Sequence, residues 1–251
     1  MASNTVGKLV IVRHGLTEWS GKFTGWTDVD IIPEGITYVK KYGQKLKEEG
    51  YLFDIAYTSY LKRAIRTLWW FMSEIDQMYL PVHNYWQFNE RHYGALQGLS
   101  KAETAQKLGE EQVNIWRRSY NTAPPPLTYD DKRHPRFEAK YRHLDPRNLP
   151  LSESLADTYK RAVPMFKETI HKDLMAGKNV IFSAHNNSLR AIIKHMDNLS
   201  DEEVMKLNIA YSIPLVYEFH SDGTPKKHYY LESDEVVQKV IEAIKNQAKG
   251  K

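Results

Sequence analysis

Three short apolar runs constrain the fold most: KLVIV at Lys8–Val12, FDIAYTS at Phe53–Ser59 and NVIFSAH at Asn179–His185. Each is almost continuously hydrophobic, rich in β-branched or aromatic residues, and flanked by polar or glycine residues. That is the pattern of a strand covered on both faces. Helical patterns lie between them. One runs from about Pro33 to Glu49 and stops at Gly50, a residue suited to the left-handed cap position. A second holds Arg63 and Arg66, with Ser59 as its candidate cap. A third opens on the capping box Ser100-Lys101-Ala102-Glu103 and continues toward Tyr120. A fourth covers Ser154 to Met175, with Pro164 marking a kink or break. This alternation predicts an α/β fold: a mostly parallel sheet with helices on both faces. LVYEFH at Leu215–His220, turning at SDGT toward KKHYYLE, predicts a hairpin near the sheet edge.

The chain has 251 residues, enough for one large α/β domain. No linker divides it, so residues 1–251 are expected to form a single domain. Asn121–Pro150 contains APPP and no clear periodicity, and a loop of that length is expected to be a lid insertion. In the tail from Asp234 to Lys251, Val236, Val237, Val240, Ile241 and Ile244 predict a docked helix with a frayed end.

Composition narrows the function classes. The absence of cysteine rules out disulfides and thiolate metal sites and points to a reducing, cytoplasmic location. MASNTVGK has no apolar core of a secretory signal. The longest apolar stretches, such as LWWFM at Leu68–Met72, are too short to span a bilayer. A formal charge of +4 does not by itself call for nucleic acid.

Ligands of open α/β sheets bind beyond the carboxyl ends of the strands. The first strand delivers Arg13 and His14 to that edge, the second Ser59 and Arg63, and the third His185, Asn186 and Asn187. Lys101 and the pair Arg117-Arg118 can add charge. Arginine presents a planar fork of donors that matches phosphate or carboxylate, so a small, multiply anionic ligand is expected. His14 could be a satisfied core histidine, a metal ligand or a nucleophile. No H-E-x-x-H or histidine–carboxylate cluster supports the metal. Neighbouring arginines disfavour imidazolium, which keeps the ring nucleophilic, and they neutralise a phosphoryl group in transfer. Such a transfer also needs a proton donor and acceptor. Glu90 in QFNERHYGALQG is the candidate, although composition alone favours an exposed ion pair with Arg91.

RHG after a strand, SYLKRAIRT, NERHYGALQG, WRRSY followed by PPP, and SAHNNSLRAI, in that order, resemble the cofactor-dependent phosphoglycerate mutases of the histidine phosphatase superfamily. The resemblance covers nearly the whole chain. It implies that His14 is phosphorylated, that Glu90 donates and accepts the proton, and that His185 stabilises the transferring group together with Arg13 and Arg63. It implies a substrate pocket formed by Gly15, Thr17, Ser20, Lys22, Thr24, Gly25, Arg91, His92, Tyr93, Lys101, Arg117, Arg118, Asn186 and Asn187. The implied reaction interconverts 3-phosphoglycerate and 2-phosphoglycerate. It is primed by 2,3-bisphosphoglycerate and uses no metal. The implied partners are phosphorylated three-carbon acids and further copies of the chain, in a homodimer or homotetramer. Nucleic acid and membrane are not expected partners.

Four positions depart from that family's pattern. Leu16 stands for glutamate, Ser20 for asparagine, Lys22 for arginine in a loop two residues shorter, and Asn186 for glycine. Asparagine tolerates positive φ, so Asn186 is expected to keep a glycine-like backbone. The alternatives are a phosphatase or bisphosphoglycerate-forming enzyme on the same fold, and a non-catalytic phosphoester-binding scaffold.

Overall fold

The computed structural model describes residues 5–246. Its strands are β1 (Leu9–Arg13), β2 (Ile55–Thr58), β3 (Val82–Asn84), β4 (Val180–Ala184), β5 (Leu215–Phe219) and β6 (Pro225–Tyr230). They form one sheet in the order β3-β2-β4-β1-β5-β6. The first four in that order are mutually parallel, and β5 and β6 add an antiparallel hairpin at one edge. The helices are α1 (Pro33–Glu48), α2 (Lys62–Glu74), α3 (Lys101–Leu108), α4 (Glu110–Arg118), α5 (Leu155–Phe166), α6 (Lys172–Met175), α7 (Asn186–Met196), α8 (Asp201–Lys206) and α9 (Asp234–Asn246). Among the described residues, no helix is long and apolar enough to cross a membrane.

The alternation of side chains along each strand builds two cores. Leu9, Ile11, Val180 and Phe182 pack with Ala162 and Phe166 of α5 and with Leu189 and Ile192 of α7. Val10, Val12, Ala56 and Ile181 pack with Val39 and Leu46 of α1, with Leu68 and Phe71 of α2, and with Val237 of α9. Each fully buried aliphatic side chain contributes roughly 1.5–3 kcal/mol. The strands that carry the site therefore lie in the most strongly packed part of the chain.

Local differences from the expected elements have identifiable causes. The helix expected from Ser100 to Tyr120 breaks at Gly109, whose φ of 89° is left-handed, and becomes α3 and α4. Ser59 does not cap α2, which starts at Lys62 behind Leu61; its hydroxyl is engaged elsewhere, as described below. Pro164 lies within α5 and lacks the amide that would bond back four residues. Three residues later the helix widens into a π-type turn over Lys167–His171 before α6. The edge strand β3 spans only three residues and carries no periodic signal.

The 121–150 stretch contains three single 3₁₀ turns and buries Leu127, His134, Tyr141 and Leu149. Tyr141 stacks on Trp26 with ring centroids 5.2 Å apart, and its hydroxyl accepts a 2.8 Å bond from Asn89 Nδ2. Helix α9 docks through Val237, Val240 and Ile241. The expected frayed end, beyond Asn246, lies outside the described residues.

Candidate active site

The β1–β4 register pairs Arg13 with Ala184, and the His14 amide donates to the Ala184 carbonyl at 3.0 Å. His14 and His185 are therefore delivered side by side at the carboxyl edge, with ring centroids 5.2 Å apart. Thr58 ends β2 next to β4 in the same register, so Ser59 and the first turn of α2 reach the same edge. Ser59 Oγ accepts from the Leu61 amide at 3.1 Å and bonds His185 Nε2 at 2.7 Å.

His14 Nδ1 lies 2.8 Å from the Gly15 carbonyl. A carbonyl only accepts, so the assigned tautomer has its proton on Nδ1 and a lone pair on Nε2. Burial, then the charges of Arg63 and Arg13, hold the His14 pKa well below the ordinary 6.5, against the opposing Gly15 bond. Burial, Arg63 and His14 depress His185 likewise, and its Nδ1 is buried without a protein partner. Both rings are neutral at pH 7.

Neutral backbone oxygens hold the arginines. Arg63, 1% exposed, donates to the Thr27 and Gly25 carbonyls at 2.9 and 2.7 Å. Gly25 adopts φ 53°, and a Cβ there would lie 2.1 Å from Gln97 Oε1, so this carbonyl is presented by a residue that must be glycine. Arg13 donates to the Ile209 carbonyl at 2.9 Å and lies over the Tyr211 ring, 3.6 Å from its centroid. Asn186 does not adopt the expected left-handed backbone. It is the first residue of α7, and its Oδ1 accepts from the Ile209 amide at 3.2 Å and from Arg13 Nη1 at 3.5 Å.

Arg13, His14, Arg63 and Asn186 line a cavity of about 90 Å³, whereas His185, expected at the site, is fully buried beside His14 and is not among the described lining residues. Among the described residues, Arg13, Lys22, Arg63, Lys101, Arg117, Arg118 and Arg190 supply seven cations, against the single carboxylate of Glu90. Glu90 is 7% exposed; its Oε1 accepts from the Arg91 amide at 2.8 Å and from the Asn187 amide at 3.1 Å. Burial lowers Lys101 to about 8 and Arg190 to about 9. For Tyr93, burial acts upward but is outweighed by Arg91 and Lys101, and the phenol settles at about 8.

Thr17, Ser20, Thr24, Gly25, Tyr93 and Asn187, expected at the pocket, line it. Gly15, Arg91 and His92 were expected to bind substrate and do not line it. The Gly15 amide donates to Thr67 Oγ1. Arg91 is fully buried and donates to the Trp116 and Arg117 carbonyls and to the Tyr93 hydroxyl. His92 is fully buried, with Nδ1 accepting from the Gly94 amide. Along NERHY, which is in neither helix nor strand, Glu90 and Tyr93 face the cavity while Arg91 and His92 turn into the protein. The sequence reasoning missed Trp19, Arg190, Asn208 and Tyr211, which also line the cavity. Arg190 lies one turn beyond Asn187, a signal that i, i+3 spacing could have supplied. No residue between 121 and 150 is among the described lining residues.

A model of the histidine phosphatase superfamily (branch 1) matches residues 9–230. Solved structures share the fold. One is a mycobacterial glucosyl-3-phosphoglycerate phosphatase, 19% identical, with a TM-score of 0.65 over 90% of this chain and 97% of its own. Another is YhfR of Bacillus stearothermophilus, 18% identical, with a TM-score of 0.65 over 87% and 94%. A third, the product of an open reading frame of Mycobacterium tuberculosis, is 21% identical, with a TM-score of 0.61 over 90% and 96%.

Proposed function

The chain belongs to branch 1 of the histidine phosphatase superfamily, and on that premise we propose that it is a 2,3-bisphosphoglycerate-dependent phosphoglycerate mutase that interconverts 3-phosphoglycerate and 2-phosphoglycerate. The observation that carries this reading is a neutral His14, with its Nε2 lone pair left open, inside a cavity whose cations come from separate elements. Arg13 ends β1 and Arg63 lies in the first turn of α2, and both charges act on His14. Arg117 and Arg118 end α4 and line the same cavity. One group matches a phosphoryl undergoing transfer, and the other matches a second anion on the same small molecule.

In this mechanism His14 already carries a phosphoryl group when the monophosphoglycerate binds. Glu90 takes the proton from the free hydroxyl of the substrate, whose oxygen attacks the phosphorus while the bond to His14 Nε2 breaks. The bisphosphate so formed turns over in the site, and Nε2 attacks the phosphorus of its other phosphomonoester. That phosphorus–oxygen bond breaks as the nitrogen–phosphorus bond forms, and Glu90 gives its proton to the leaving oxygen. Arg13 and Arg63 offset the charge on the transferring oxygens, with the neutral His185 ring packed beside His14. The donor that primes His14 is 2,3-bisphosphoglycerate, whose anionic groups suit the same cations.

A second reading, hydrolysis of a phosphomonoester, draws support from the shared fold of the glucosyl-3-phosphoglycerate phosphatase. It replaces the second hydroxyl with water. One experiment separates the two: 3-phosphoglycerate is supplied with and without 2,3-bisphosphoglycerate, and isomerisation and phosphate release are measured together. Isomerisation that depends on the bisphosphate and is abolished in His14→Ala is the expected result. Phosphate release without isomerisation favours the phosphatase, and full isomerisation by His14→Ala refutes both.

A further inference from the structure

Residues 89–93 carry Glu90 yet belong to no helix or strand; they lie between the short 3₁₀ turns Trp86–Phe88 and Gly94–Leu96. Their shape is imposed from α5. Arg161 and Glu153 form an ion pair with side chains 9% and 5% exposed, and neither lines the cavity. The guanidinium has five N–H donors, and all five are used. Nε donates to Glu153 Oε1 at 2.6 Å and Nη2 to Glu153 Oε2 at 2.8 Å. The other three reach backbone carbonyls: Gln87 at 2.6 Å, Asn89 at 3.0 Å and Glu90 at 2.9 Å. Glu153 completes the grip beyond Glu90. Its Oε2 accepts from the His92 amide at 2.8 Å, and its own amide donates to the His92 carbonyl at 2.9 Å.

We propose that Arg161, with Glu153, is a positioning residue for the proton-transferring carboxylate, holding the Glu90 backbone where its side chain can reach the leaving oxygen. The proposal rests on the acid–base role given to Glu90 above. The grip is specific: two parallel bonds lock the guanidinium to Glu153, so its remaining donors point in fixed directions at the segment. The carboxylate fixes one side of Glu90 and the guanidinium the other. A fold-holding pair could be replaced by any arrangement that fills the space. A pair that sets the place of a catalytic atom could not, because a misplacement of about 1 Å can cost on the order of 10²-fold in rate.

The test uses the leaving group. Arg161→Lys keeps the positive charge beside Glu153 but cannot reproduce five planar donors. Glu153→Gln, the second variant, keeps shape and loses the charge-assisted bonds. His14 phosphorylation is measured by rapid quench with two donors: p-nitrophenyl phosphate, whose leaving phenolate needs little protonation, and 2,3-bisphosphoglycerate, whose leaving alkoxide needs it fully. Arg161→Lys is expected to slow phosphorylation from 2,3-bisphosphoglycerate by about 10²-fold, the scale of general acid catalysis, and to change the rate from p-nitrophenyl phosphate by less than about threefold. Glu153→Gln is expected to shift the two donors in the same unequal way. Equal losses on both donors overturn the proposal, since they indicate a structural pair. Glu90→Gln serves as the reference. If Glu90→Gln is itself insensitive to the leaving group, the acid–base assignment fails. If Glu90→Gln discriminates between the donors and Arg161→Lys does not, only the positioning role fails.

Discussion

Removing the Arg118 guanidinium tests whether the cavity reads two anions. Arg118 is half-buried on α4, and its Nη1 donates to Asn208 Oδ1 at 3.2 Å. That single bond leaves most of its donors for a ligand. A charge-assisted bond from such a group is worth about 1.5–3 kcal/mol, which at about 1.4 kcal/mol per tenfold is about 10- to 150-fold in kcat/KM. The assay compares His14 phosphorylation of wild type and Arg118→Ala with two donors. One is 2,3-bisphosphoglycerate; the other is glycerol 3-phosphate, which has one phosphomonoester and no second anion. The loss is expected on 2,3-bisphosphoglycerate, while glycerol 3-phosphate changes by less than about threefold. A reduction of the same size on both would refute the reasoning, because it would place Arg118 on the transferring phosphoryl or in the fold alone.

Other outcomes follow from burial. His14, His92 and His185 are all held below the ordinary 6.5, His92 at about 3, with desolvation the leading cause in each. The unfolded chain therefore binds their protons first, and stability is full above pH 6.5 and falls as pH drops toward the folded values. Each ring costs about 1 kcal/mol between pH 6.5 and 5.5, so the three together predict a loss of about 3 kcal/mol, read from urea midpoints at the two pH values. Gly94→Ala is expected to destabilise by at least about 2 kcal/mol, measured by the same unfolding titration. Gly94 has φ 54°, and a Cβ there would stand 2.2 Å from the Pro125 carbonyl.

The sheet was legible because its central strands are buried on both faces and read as unbroken apolar runs. Their ends were legible for the same reason: Arg13 and His14 directly after four apolar residues can only lie at a strand edge. The arginines of α2 and α4 were legible by charge. Three kinds of feature were not. Strand β3 has three residues, too few for periodicity. Tyr211, Asn208 and Trp19 enter the cavity from connecting segments whose path is set by tertiary packing. The division within NERHY depends on how its backbone is held by Arg161 and Glu153, far away in sequence. Asn186 shows the opposite error. Tolerance of positive φ was the wrong property to weigh, because the position is helical and the side-chain oxygen does the work.

The way the arginines are anchored explains how so cationic a cavity can remain useful. A buried ion pair satisfies an arginine but neutralises it. Arg13, Arg63 and Arg190 are held instead by carbonyls: Ile209 for the first, Thr27 and Gly25 for the second, Val204 for the third. A carbonyl fixes the direction of a guanidinium and leaves its net charge intact. The carboxylate pairing occurs one layer out, between Arg161 and Glu153, where charge must be cancelled and only geometry passed on. An anion entering the cavity therefore meets positive charge that is already oriented, and pays little reorganisation during transfer. Together with burial, the larger cause, that charge keeps the two histidines neutral. A carboxylate bonded to Arg63 in place of its two carbonyls would both quench the field and raise the His14 pKa.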